Sequence, residues 1–162
     1  CLVIVLLPSL FIAIIIRFLP KSFFDANKRF FKKSEKNKEF YIRIGIKNWK
    51  DKIPDFGQTV NFKKDKFIKP NSLEYVEKFI SETCYAEVLH ISCCVSALIS
   101  MWLTLLILPS YCFFTMALPI AVVYVLFNMP SIMIQRYNRP RLMEHYTKLK
   151  GRSEQYDNNY SL

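Results

Sequence analysis

Between Ala86 and Ile134 the only Asp, Glu, Lys or Arg is Glu87, and residues 2–19 hold only Arg17. A helix needs about 20 consecutive apolar residues to cross a ~30 Å hydrocarbon layer, and few water-soluble domains of this size carry so long an uncharged run. The charge is concentrated elsewhere: residues 20–80 hold 16 of the 23 Lys and Arg, and residues 135–162 hold 6. A chain that is 52% apolar yet carries a net charge of +10 therefore alternates apolar spans with basic loops. Nucleic-acid binders place their basic residues on a soluble core, and no zinc-finger, RNP-like or helix-turn-helix pattern occurs here. The expected fold is an all-α integral membrane protein: about three transmembrane helices and an amphipathic basic segment at the cytoplasmic surface.

In chain order, residues 1–19 form the first span. The segment has neither the basic start nor the small-residue cleavage site of a signal peptide, so it is expected to be retained, with residues missing in front of Cys1 and a kink at Pro8. Residues 20–70 form the basic interfacial segment. Phe23, Phe24, Phe30 and Phe31 alternate with Lys21, Lys28, Arg29, Lys32 and Lys33 in the manner of an amphipathic helix lying among head groups. Phe40, Ile42, Ile44 and Ile46 alternate with polar residues at strand periodicity, but an isolated strand is only marginally stable, so the conformation there stays open. Pro54 to Gly57 reads as a turn.

Residues 71–108 form a helix that enters the second span. Asn71 is its expected cap, with Glu74 three residues on in a capping-box spacing. The span proper, Ala86 to Leu108, is long enough to cross. Pro109-Ser110 reverses the chain, residues 110–134 form the third span with kinks at Pro119 and Pro130, and residues 135–162 form a basic cytoplasmic tail whose polar end is expected to be loose. The basic regions outnumber the turn at 109–110 by 22 Lys and Arg to none, which puts them on the cytoplasmic side of a cell membrane. The start of the second span and the end of the third then meet at one membrane face.

That meeting point carries the chemistry. Gln135, Arg136, Tyr137, Asn138, Arg139 and Arg141 follow the third span directly. Arginine binds phosphate or carboxylate bidentately and stays charged at every relevant pH, whereas a flank that only sets topology has no use for the interleaved Gln135, Tyr137 and Asn138. On the second span Glu87 and His90 stand three apart on one helix face, a spacing that lets a carboxylate orient an imidazole as a general base. Asn128 lies about two turns before Gln135 on the third span, where a polar stripe can face that pair. The five cysteines, Cys1, Cys84, Cys93, Cys94 and Cys112, contain no CxxC and indicate neither a disulfide framework nor a metal site.

Three blocks in this order, WKDKIPDFG (Trp49 to Gly57), ETCYAEVLH (Glu82 to His90) and NMPSIMIQRYNRPRL (Asn128 to Leu142), resemble the glycosyl-4,4′-diaponeurosporenoate acyltransferase family. The resemblance covers roughly residues 38–150. It departs from the family pattern at Cys84-Tyr85 and Ile91, and does not extend to Lys21–Lys38. It implies transfer of a fatty acyl chain from an acyl thioester, such as acyl-CoA, to a sugar hydroxyl of a glycosylated carotenoid acid, with no bound cofactor. Under that reading His90 and Glu87 are the catalytic pair, and Asn128, Gln135, Arg136, Tyr137, Asn138, Arg139 and Arg141 bind substrate. The three arginines would hold the coenzyme A phosphates and the amides or phenol would meet the oxyanion.

The HxxxxD motif of glycerolipid acyltransferases is absent: Val95 follows His90 by five residues and Lys150 follows His145. A Cys84 acyl-enzyme would have no activating base except the distant His90. The expected partners are membrane lipid, the acyl donor and a glycosylated lipid acceptor, and so few spans invite a second copy or a partner membrane subunit. A different class also fits, a non-enzymatic membrane scaffold that binds anionic lipid and partner enzymes.

Overall fold

In the computed structural model of the chain, the backbone is described over residues 2–32, 35–53 and 72–160, and side chains over 3–4, 7–32, 39–53 and 72–155. The helices are α1 (Leu2–Arg17), α2 (Glu35–Arg43), α3 (Ile46–Trp49), α4 (Leu73–Ile107), α5 (Ser110–Cys112) and α6 (Leu118–Tyr160). Short 3₁₀ turns cover Lys21–Phe24 and Lys50–Lys52, and a π-turn covers Phe113–Ala117. Every regular element among the described residues is helical.

The frame is the antiparallel pair α4 and α6. Its inward face on α4 is Cys93, Ser96, Ala97, Ser100, Met101 and Thr104, mostly small residues, while Val95, Leu98, Ile99, Trp102, Leu103 and Leu106 point outward. On the returning π-turn and α6, Phe113, Ala117 and Ala121 pack on Met101, and Phe114, Leu126 and Phe127 face out. In water the large apolar side chains would be inside. Lipid is as apolar as leucine, so helices there associate through small residues that let backbones approach, and large ones are left to the bilayer. Only 33% and 17% of the apolar windows of the two long helices are buried, too little for core helices of a soluble protein, and neither window lies near the amino terminus as a signal sequence would. Two helices are thus long and apolar enough to cross a membrane.

The helix α1 has 16 residues, about 24 Å, and lies against α4, where Ser9 and Ser96 share a 2.6 Å hydrogen bond. It is shorter than a full crossing over its described length, so two spans rather than three meet that criterion. Ile16, Phe24, Phe31 and Cys84 close the base of this contact, with Tyr85 edge-on to Phe24 and beneath the Arg17 guanidinium.

Several expectations need correction. The stretch after Pro20 is not one amphipathic helix: Asp25 accepts from the Asn27 backbone and side chain, and this Asx turn breaks it into a 3₁₀ turn and bends. Phe24 and Phe31 go into the core, whereas Phe23 and Phe30 face out. The alternating residues 40–46, whose conformation the sequence leaves open, are helix to Arg43, a turn at Ile44-Gly45, and helix again from Ile46. Tyr41 and Ile46 are the buried pair, and Gly45, at φ 61°, supplies the left-handed turn that ends α2 and starts α3.

The first described cap of α4 is Ser72, whose hydroxyl accepts from the Tyr75 N–H; Asn71 and the Pro54–Gly57 turn lie outside the described residues. The tail expected to be loose is helical to Tyr160, because α6 runs on through Pro130 and Pro140 and is braced by Leu149 on Val76 and Ile80. Pro119 falls in the first turn of α6, just after the π-turn in which Leu118 N–H reaches Phe113 O.

The seam makes a quantitative claim. Ala97→Leu, at a fully buried site, is expected to cost about 1–3 kcal/mol by overpacking, whereas Leu98→Ala on the outward face changes stability by less than about 0.5 kcal/mol. Thermal melting of the two variants in nanodiscs reads the difference, and equal losses would refute the lipid-facing assignment.

Candidate functional site

At the level where the apolar seam ends, Glu87 on α4 is completely buried between two guanidiniums of α6. Arg136 Nε donates to Oε1 at 2.5 Å and Arg139 Nη2 to Oε2 at 2.6 Å. A buried carboxylate is tolerated only when paired and hydrogen-bonded, and this one has both oxygens occupied. The helices put the groups there: Arg136 and Arg139 stand three apart on α6, and Thr83 stands one turn before Glu87 on α4.

Arg139 is held from several sides. Its Nε donates to Thr83 Oγ1 (3.1 Å), Nη2 also to the Thr83 carbonyl (3.0 Å) and Nη1 to the Phe31 carbonyl (3.4 Å), with the guanidinium 4.9 Å above the Phe31 ring. Its side chain is only 4% exposed. Arg139 therefore ties α4, α6 and the connector after α1 into one unit. Arg136 differs: its side chain is 39% exposed, and it stands beside the Tyr41 phenol of α2. Burial pushes the Tyr41 phenol above its ordinary pKa, more than Arg136 pulls it down.

One turn further into the seam, His90 Nδ1 lies 2.8 Å from Asn128 Oδ1, and Asn128 Nδ2 donates to the Tyr124 carbonyl at 2.8 Å. Because the Asn128 amide nitrogen is committed to Tyr124, its oxygen is the atom that faces the imidazole, so Nδ1 carries the proton in this bond. In a neutral ring that bond places the lone pair on Nε2, the tautomer a general base requires. Tyr124 reaches across to Ser9 and Cys93, which joins the pair to α1.

The structure thus brings Glu87, His90, Asn128, Arg136 and Arg139 onto one α4–α6 seam, with a different pairing from the one the spacing suggests. The carboxylate is engaged by the two arginines, strong partners for a buried anion, and Asn128 meets the imidazole at Nδ1. Arg139 does not stand at a surface mouth but is sealed in the core. Arg141 is exposed and covers the Tyr137 ring at 4.5 Å. Tyr137 is buried against Tyr41, Ile46 and Ile134, and Gln135 and Asn138 are half-buried beside these groups without entering the bonds just described.

Thr83, Phe31, Tyr41 and Tyr124 were not evident as site residues. Thr83 alone left a signal, four residues before Glu87 and hence on its face.

A family model described as glycosyl-4,4′-diaponeurosporenoate acyltransferase matches residues 20–148, which includes the Lys21–Lys38 stretch and every residue of the site except Ser9. Among relatives, the glycosyl-4,4′-diaponeurosporenoate acyltransferase of Staphylococcus aureus strain N315 is 32% identical over 126 residues, 75% of this chain and 66% of the relative. The protein of the same name from strain USA300 is 34% identical over 126 residues with the same shares. The match spans just under two thirds of the length of these relatives. No solved structure matches the chain.

The buried pair is expected to behave as a unit. Glu87→Gln strands the Arg139 charge and should cost about 3–5 kcal/mol, while Glu87→Met combined with Arg139→Met recovers most of that loss; chemical unfolding of the three proteins decides it, and independent, additive losses would contradict the pairing. The Tyr41 phenol makes a second claim. Folding favours its neutral form, so its contribution is fully present below about pH 10 and fades as pH rises through the higher folded value. Tyr41→Phe should remove that part of the alkaline stability loss, seen as a shallower fall in melting temperature between pH 9 and about 11.

Proposed function

The chain belongs to the glycosyl-4,4′-diaponeurosporenoate acyltransferase family, and from that membership we propose that it is a membrane O-acyltransferase. It moves a fatty acyl group from a thioester such as acyl-CoA to a sugar hydroxyl of a glycosylated carotenoid acid of the glycosyl-4,4′-diaponeurosporenoate type. The spans lie in the cell membrane with both basic regions cytoplasmic.

The observation that carries the reading is the hydrogen bond between His90 Nδ1 and Asn128 Oδ1, in the tautomer that leaves Nε2 basic. Depth supports it. His90 lies 17 residues from Ile107, about 26 Å along the helix, so it sits just inside the far boundary of a ~30 Å hydrocarbon layer. An acyl chain and a carotenoid both reach that level from the bilayer, while a sugar and a thioester head group reach it from the aqueous side.

In the reaction, Nε2 takes the proton of the sugar hydroxyl as its oxygen attacks the thioester carbonyl, and a tetrahedral oxyanion forms. Gln135, seven residues along α6 from Asn128 and so on the same face, is the amide donor assigned to that oxyanion. On collapse the carbon–sulfur bond breaks and the departing thiolate takes the proton back from Nε2. Asn128 is a positioning residue, because it fixes the tautomer and the ring without touching the reacting atoms. Glu87 and Arg139 hold α4 and α6 in register, so that His90 and Asn128 stay opposite one another.

The test uses the full chain in nanodiscs with acyl-CoA and the glycosylated acceptor, with products followed by mass analysis. His90→Ala should lower turnover at least about 100-fold without loss of the folded state. Asn128→Ala should lower kcat with little change in KM. Turnover by His90→Ala within tenfold of the parent would remove the base, and no acylated product from the well-folded parent with any thioester would remove the reaction class.

A further inference from the structure

The cluster around Glu87 is unbalanced in charge and in hydrogen bonding. Two guanidiniums serve one carboxylate, so the group carries one net positive charge, and the charges acting on the Tyr41 phenol are those of Arg136, Glu87 and Arg139. Arg139 is satisfied and sealed, with four hydrogen bonds and a 4% exposed side chain. The surplus therefore resides on Arg136, which spends Nε on Glu87 and is 39% exposed.

Donors are in surplus as well. The Tyr41 phenol beside Arg136 is 4% exposed and has its own proton to give. The neighbouring Tyr137, edge-on to Tyr41 at 6.2 Å, has a buried hydroxyl without a hydrogen-bond partner among the described residues. Buried phenols ordinarily find partners.

From this juxtaposition we infer that Arg136 and Tyr41 form an anion-recognition site at the membrane boundary, for a phosphate-type oxyanion. Glu87 holds the guanidinium by Nε, so the Nη edge is presented in a fixed direction, and a phosphate accepts from that edge and from the Tyr41 hydroxyl together. The fork geometry and the phenol distinguish this from a diffuse basic surface, which would attract anions without orienting them. The chemistry is shared by two sources, a soluble phosphate ester and the phosphodiester of a lipid head group. The inference deepens the acyl-transfer reading by naming the anchor for an anionic substrate, and its binding assay needs no acyl acceptor, so either can fail while the other stands.

The experiment measures binding and melting of the full chain in phosphatidylcholine nanodiscs. One arm adds adenosine 3′,5′-bisphosphate, and another replaces part of the phosphatidylcholine with phosphatidylglycerol. Saturable binding of the bisphosphate, weakened at least tenfold by Arg136→Gln and about threefold by Tyr41→Phe, supports a site for a soluble ester. A rise in melting temperature with phosphatidylglycerol that Arg136→Gln abolishes, with no bisphosphate binding, supports a lipid head group. Arg136→Lys keeps the charge without the fork and should recover less than half of the lost affinity; it also serves if the glutamine variant does not fold. Failure of both arms overturns the inference, as does any binding or melting shift that Arg136→Gln leaves unchanged, or full recovery by lysine.

Discussion

A carboxylate held between two guanidiniums at the edge of an apolar seam is the constraint on which the site depends. Burying Glu87 with one arginine would still leave the second cation and several donors to satisfy, and at this position they are satisfied by Thr83 and the Phe31 carbonyl. An ion cluster of this kind is weak as a source of net stability, because desolvation offsets much of the attraction. Its value lies in register. A sliding α4–α6 contact would find many equivalent small-residue arrangements, but only one setting puts Glu87 between Arg136 and Arg139.

The register has a chemical consequence one turn away. With Glu87 pinned to Arg136 and Arg139, His90 comes opposite Asn128. The polar residues of the pair are thus divided into two layers. The boundary layer is ionic and carries surplus positive charge. The deeper layer holds an oriented imidazole. An amphiphilic substrate with an anionic or sugar head and an apolar tail would meet those layers in that order, which is the arrangement that acyl transfer at a membrane surface requires.

Much of this was legible from composition and spacing: the run from Ala86 to Ile134, charged only at Glu87, located the two long helices, and the burst of arginines located the polar end of the second. The partners of Glu87 were not legible. Spacing along one helix makes Glu87 and His90 neighbours, but a buried anion is governed by the strongest cations within reach, and these come from another helix more than forty residues on. The alternation at 40–46 left the conformation open for a related reason. Tyr41 and Ile46 are brought together by the turn at Gly45, and a residue with positive φ resets the periodicity on either side of it. Arg139 looked like its neighbours in sequence, yet a difference of three residues turned it inward and left Arg136 partly open.

The length of α6 has one more consequence. At 43 residues it is roughly 64 Å long, more than twice the hydrocarbon thickness, and it is continuous through the boundary. A rod gripped near its middle by an ion cluster, and again where Leu149 packs on Val76 and Ile80, is held at two points along α4, so a load on its outer arm passes into α4. The spacing of the His90 imidazole and the Asn128 amide is thereby shielded from whatever leans on the far end of the helix.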